Sequence, residues 1–207
     1  MDSSINTVNN SEEDLALIEC IAAGQTSKFE DLVVTYQPRI FATLLGMLGD
    51  RHDAEDVAQE TFLTAYRKLD QFERRSSFYT WLHRIAFNLA IDLQRKKKRT
   101  TKRNVGDELI DSGERLNADR GQPDAILMSK ETVDLVQLAL ERLDFERRNI
   151  IVLRDLQGLD YAEIAAMLEL PMGTVRSRLH RARIELRDIM HALGIGETES
   201  ATRGQNT

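Results

Sequence analysis

Residues 160–183 read DYAEIAAMLELPMGTVRSRLHRAR, the stretch that decides the fold. The spacing predicts a helix from Tyr161 to Leu168, in which Ala162, Ala165 and Ala166 permit close helix contact. Glu169-Leu170-Pro171 makes a tight connection, with Leu170 expected inside. A second helix starts at Met172 and turns Val175, Leu179, Ala182 and Leu186 inward. Its other side carries Thr174, Arg176, Ser177, Arg178, His180, Arg181 and Arg183. A short helix, a tight turn and a second helix with a basic outer face form a helix-turn-helix, and the second helix suits a major groove. Arginine pairs with guanine edges, while Ser, Thr and helix-start amides hold phosphates. The competing reading is an amphipathic helix with a solvated basic face. His180 reads as a groove-edge polar residue, because no Cys or second His stands at ligand spacing.

Upstream, Ala125–Leu143 repeats Ile126, Val133, Val136, Leu140 and Leu143 at helical spacing. Phe145–Leu156 follows as one helix, with Ile150 to Leu153 too apolar for a lone surface helix, and Gly158 ends it. Residues 124–192 therefore read as one small helical domain. Thr100 to Pro123 has no helical stripe, three glycines and scattered acids, and reads as a flexible acidic linker, residues 100–123. A structureless segment of that length inside one compact domain would be unusual, so the chain is expected to hold two domains.

The first, residues 12–99, is also helical in its periodicity. Residues 1–11 are expected to be disordered. A helix is expected from Glu12 to Ala23 with Gly24 as its stop, a second from Ser27 to Thr35, and a third opened by Pro38. Gly49-Asp50 breaks the pattern. Asp53 to Leu69, DAEDVAQETFLTAYRKL, then reads as a strong helix with Asp53 as its N-cap. Ala54, Val57, Ala58, Phe62, Ala65 and Leu69 face inward. Asp56, Gln59, Glu60 and Leu63 form an outer face, either solvated or a docking surface with Leu63 as its apolar anchor.

Phe72 to Arg99, FERRSSFYTWLHRIAFNLAIDLQRKKKR, begins as a polar loop, passes through Phe78, Tyr79 and Trp81, and ends in five consecutive basic residues. On a helix, Phe78, Leu82, Ile85, Leu89 and Leu93 share a core stripe. Thr80, Arg84, Asn88 and Arg95 share another, with Trp81 beside it. Bases stack on aromatic planes, phosphates pair with basic side chains and Asn can read a base edge, so this second stripe reads as a nucleic-acid face beside the core face. The bland alternative is a core aromatic cluster with a solvated, dipole-favoured basic end.

Bulk properties fit these readings. The chain has 207 residues, 42% hydrophobic and 30% charged, which suits a globular all-α protein. Its net charge of −6 is an average over blocks: residues 1–70 carry −8, 71–103 carry +8, 104–146 carry −7, 147–191 carry +2 and 192–207 carry −1. Such segregation suggests a basic surface for nucleic acid and an acidic one for a protein. Cys20 is the single cysteine, which excludes an internal disulfide framework, and it reads as a packing residue. No apolar run approaches a membrane span and the polar, acidic start does not resemble a signal peptide, so a cytoplasmic location is expected. No carboxylate pair at metal-ligand spacing, phosphate-cradling glycine loop or nucleophile–base pair stands out, so no enzyme, metal or cofactor is expected.

The segments DAEDVAQETFLTAYRKLDQF, SSFYTWLHRIAFNLAIDLQRKKKR and LDYAEIAAMLELPMGTVRSRLHRAR resemble, in that order, the polymerase-binding, promoter-melting and minus-35 segments of the extracytoplasmic-function (ECF) sigma factors. The resemblance covers residues 15–190. It implies a two-domain sigma factor that binds core RNA polymerase and promoter DNA, both as duplex and as melted non-template strand. It further implies an anti-sigma partner, no small-molecule substrate and no obligate homodimer. Asp56, Gln59, Glu60 and Leu63 would dock on polymerase. Phe72, Arg74, Arg75, Ser76, Tyr79, Trp81, Arg84 and Asn88 would engage the minus-ten element, with the loop Phe72–Ser77 capturing a flipped base. Thr174, Arg176, Ser177, Arg178, His180, Arg181 and Arg183 would read the minus-35 element. Asp107, Glu108 and Asp111 of the linker would thread the polymerase cleft. The loop departs from the family in having Glu73-Arg74-Arg75 where a glycine is common. The alternative function is a one-component helix-turn-helix repressor or activator.

Overall fold

In a computed structural model, residues 6–104 and 130–195 are described. They form eight α-helices and no strand, in two compact units. The first unit holds α1 (Asn6–Ala22), α2 (Phe29–Leu48), α3 (Arg51–Arg67) and α4 (Phe78–Asn104). The second holds α5 (Lys130–Glu141), α6 (Phe145–Ile151), α7 (Tyr161–Leu168) and α8 (Met172–Ala192).

In the first unit α2, α3 and α4 pack against one another, and α1 lies against α2 and α4. The core is Leu32, Tyr36, Ile40, Leu44 and Met47 of α2, Ala54, Val57, Phe62 and Ala65 of α3, and Phe78, Leu82, Ala86, Phe87 and Ala90 of α4. Ile18 and Ile21 seal it from α1. The breaks follow local chemistry. Gly24 and Gly49 adopt positive φ after α1 and α2, a conformation a Cβ disfavours.

Four expectations change. Residues 6–11 are helical, so α1 begins earlier than the polar composition suggested. Residues 29–48 form one helix through Pro38, not two. Pro38 lies on the exposed side, and so does Val34, whose carbonyl loses its helical donor there; water can replace that bond. Asp50, not Asp53, caps α3, its carboxylate accepting from the Asp53 amide at 2.9 Å. Finally, α4 continues to Asn104, so residues 100–104 are helical rather than linker. Asp107, Glu108, Asp111 and the rest of the expected linker lie outside the described residues.

In the second unit α5, α6 and α7 all pack on α8. Leu140, Ile150, Leu153, Ile164, Val175 and Leu179 form the core. Residues 145–156 are not one α-helix: after Ile151 the chain widens into a π turn over Val152–Leu156 and ends at Gly158, φ 72°. The last carbonyls around the end of α5 are satisfied by a side chain. Arg148 donates to the carbonyls of Leu140 (2.8 Å), Glu141 (2.7 Å) and Leu143 (3.2 Å). Burial holds its guanidinium below the usual arginine pKa. Asp160 and Glu163 close a capping box at the start of α7.

Candidate polymerase and nucleic-acid interfaces

On α3, Asp56, Gln59, Glu60 and Leu63 are all exposed. Asp56, Gln59 and Leu63 line a groove of about 1060 Å³ between α2 and α3, and Glu60 is not among its lining residues. Phe29, Val33 and Phe41 of α2 and Phe62, Leu63 and Tyr66 of α3 line it, with Glu30, Glu55 and Asp56 among them. Leu63 is 45% and Tyr66 42% exposed, large apolar surface for a polar helix face. Tyr66 meets Phe29 edge-on at 5.0 Å. The sequence reading found the α3 side but missed the α2 wall, because splitting α2 at Pro38 separated Val33 from Phe41.

The loop after α3 ends in a helix cap: the Ser77 hydroxyl accepts from the Thr80 amide at 3.1 Å. The rings of Phe72, Phe78 and Trp81 pack at centroid distances of 5.3–5.8 Å. Phe78 is buried beneath them and Trp81 is half-buried at the edge. The α4 core stripe differs from the expected one. Tyr79, Leu82, His83, Ala86, Phe87 and Ala90 are buried, whereas Ile85, Leu89 and Leu93 are half-buried. Thr80, expected on the outer stripe, is 2% exposed.

This rotation sorts the expected minus-ten residues. Phe72 and Tyr79 are buried, so neither offers a free ring face for stacking. Tyr79 lies against Tyr36 and His83 with the Arg39 guanidinium 4.1 Å from its ring centroid. Two fully flanked sides, not one, explain the burial: α4 packs against both α2 and α3. Arg84, Asn88 and Arg95 are exposed and, with Trp81, follow one helical line three, four and seven residues apart. Beyond them residues 96–100 are exposed. Lys97 is drawn to Asp53 of α3. In the loop Arg75 is 85% exposed in its side chain and pairs with Glu73 at 2.7 Å. Arg74 adopts φ 58° and reaches Glu19 of α1 at 3.0 Å, while Ser76 is half-buried.

The helix-turn-helix forms as expected, with Glu169 left-handed at φ 55° between its helices. Details differ. Ala162 and Ala166 are exposed and Ala165 half-buried; Ile164 and Met167 are the buried residues of α7 instead. Leu170 is half-buried rather than buried, and so is Leu186 of the expected inward stripe. On α8, Arg176, Ser177, Arg178, His180, Arg181 and Arg183 are exposed, and Thr174 is half-buried. The exposed set has two kinds of member. Arg178 pairs with Glu146 of α6 at 3.1 Å, and Arg183 is gripped by both oxygens of Asp155. That carboxylate holds the Arg183 guanidinium above its usual pKa. Arg176 lies 5.4 Å from the Tyr161 ring centroid, and Ser177 donates to the Thr174 carbonyl.

Two all-helical units, one with an apolar groove and a Trp-Arg-Asn line, the other with a basic helix-turn-helix, define a multi-surface transcription protein. The family model for sigma-70 region 2 matches residues 32–100, and that for sigma-70 region 4 matches residues 134–186. The ECF RNA polymerase sigma factor SigW of Bacillus subtilis is 37% identical over 173 residues, covering 82% of this chain and 92% of the relative. The ECF RNA polymerase sigma-E factor of Escherichia coli K12 is 39% identical over 174 residues, 82% and 90% of the two chains. Among solved structures, the sigma factor RpoE in complex with the anti-sigma factor NepR from Bartonella quintana superposes with a TM-score of 0.63 at 28% identity, covering 79% of this chain and 96% of that one. CnrH in complex with the cytosolic domain of CnrY gives 0.60 at 28%, covering 86% and 96%. The chain belongs to the ECF group of sigma-70 RNA polymerase sigma factors. It is a sigma factor of transcription initiation, acting with core RNA polymerase on promoter DNA, and not a one-component repressor or activator. Sigma factors are not an enzyme family. No described helix is long and apolar enough to cross a membrane.

Proposed function

We propose that the unit within residues 12–99 docks on core polymerase and opens the minus-ten region, and that the unit within residues 124–192 reads the minus-35 element. The α2–α3 groove takes an amphipathic polymerase helix: its floor is apolar, and Glu30, Glu55 and Asp56 along it favour a basic partner. Leu63 is the anchor. The Trp81–Arg84–Asn88–Arg95 line is the observation that carries the melting role. A half-buried indole backed by Phe72 and Phe78 presents a stacking edge, and two arginines with one asparagine follow it along one strand's path. On α8, Arg176, Ser177, His180 and Arg181 enter the major groove, while Arg178 and Arg183 are held by Glu146 and Asp155.

The protein works in the cytoplasm as a single sigma subunit without a cofactor. An anti-sigma protein restrains it; the structural neighbours bound to NepR and CnrY support this partner class.

Trp81→Ala tests the melting role. Base–aromatic stacking is worth about 1–3 kcal/mol per base. The variant should bind duplex promoter normally within holoenzyme yet lose permanganate reactivity of promoter thymines. Normal reactivity would reject the role.

A further inference from the structure

Arg74 stands at φ 58°, in the left-handed region that non-glycine residues seldom occupy. Among the described residues one other non-glycine does so, Glu169, and it closes a helix end. Arg74 closes no helix. Its guanidinium instead spans to Glu19, 55 residues earlier in α1, with Nη1 3.0 Å from Oε1. Both side chains are substantially exposed, so the pair answers to solvent and to any incoming phosphate. The α1 end of this strut is itself pinned, since Asp14 accepts a buried hydrogen bond from the Tyr36 hydroxyl of α2. Arg75, next in the loop, makes its ion pair within the loop, to Glu73.

We infer that Glu19 is a positioning residue for the Phe72–Ser77 loop: through Arg74 it sets the loop's backbone and so helps determine which minus-ten base the loop accepts. The inference rests on the minus-ten role proposed above and on the base capture that the family resemblance implies for this loop. Without the Glu19 carboxylate the ion pair no longer offsets the left-handed strain at Arg74, and the loop relaxes. Arg74 is also freed to take a phosphate, which changes the geometry of capture.

The test is run-off transcription by holoenzyme reconstituted from the full chain. Templates carry each of the four bases at each minus-ten position of a promoter that the holoenzyme transcribes. Glu19→Ala should change the ratio between preferred and disfavoured bases roughly two- to five-fold, the size an exposed ion pair can impose. Core polymerase retention should stay unchanged. In an Arg74→Gly background, where glycine adopts positive φ freely, Glu19→Ala should have no further effect on the ratio. An equal effect in both backgrounds would show that the ion pair is not the route, and would overturn the inference. So would lost polymerase retention with an unchanged ratio. Arg75→Ala and Ser76→Ala separate the two levels. If they alter the ratio while Glu19→Ala does not, the Glu19 assignment fails alone. If they too leave it unchanged, the loop does not read a base and both readings fall.

Discussion

Asp14 ties α1 to α2 through one buried side-chain hydrogen bond. It is 4% exposed, and its partner is the Tyr36 hydroxyl. Burial raises its carboxyl pKa; the Tyr36 hydrogen bond opposes this and the neighbouring Glu13 charge adds to it. The folded pKa therefore lies above the unfolded one, and the folded state binds the proton more tightly. That stabilisation is fully present below the ordinary aspartate range and is lost as pH rises through the raised folded value. Asp14→Asn keeps an acceptor for Tyr36 and removes the charge. It should raise the urea midpoint at pH 7 and do so much less at pH 4. A lower midpoint at pH 7 would contradict this account. Nothing in the sequence marked Asp14, because its local pattern is that of a solvated acid between Glu13 and Leu15. Tyr79 and Phe72 show the same limit in reverse. Aromatic identity suggested base stacking, but burial depends on which helices flank α4, which is long-range information. Trp81, Arg84 and Asn88 were legible because helical spacing alone puts them on one line.

Among the elements, α8 was read most accurately. Its outer face is continuous in sequence, and Val175, Leu179 and Ala182 fix which side is inside. What spacing could not show is that Glu146 and Asp155 occupy two of its arginines. The two groups should behave differently on DNA. Arg181→Ala should cost about 1–3 kcal/mol of discrimination between minus-35 variants. Asp155→Asn should instead release Arg183 to a phosphate, leaving discrimination intact and steepening the salt dependence of holoenzyme binding by roughly one. Fluorescence anisotropy titrations across salt concentrations read both. A flatter slope in Asp155→Asn would mean the carboxylate orients Arg183 for DNA rather than competing with it. The α2 helix was misread for a nameable reason. Proline normally marks a helix start, but an exposed proline with a solvent-facing carbonyl behind it is tolerated in mid-helix. The π turn at Val152–Leu156 leaves no mark in an apolar run, since local widening of a helix depends on how the next helices pack.

At the scale of the molecule, the opposed charge blocks are the feature that composition conceals. A net −6 argues against a nucleic-acid partner until the +8 of residues 71–103 is separated from its acidic neighbours. The acid-rich block before it holds the face of α3 proposed to meet polymerase, and the basic block is the loop and α4. All-α class and the division into two helical units were legible because helical periodicity is strong and gives way after α4 to a stretch with three glycines and scattered acids. The central claim is that this chain directs core RNA polymerase to open promoters. The most direct measurement is run-off transcription with purified core polymerase on genomic fragments. Adding the chain should yield discrete transcripts, each preceded by a shared minus-35 and minus-ten pair, with permanganate-reactive thymines at the minus-ten. Transcript patterns identical with and without the chain would contradict the claim.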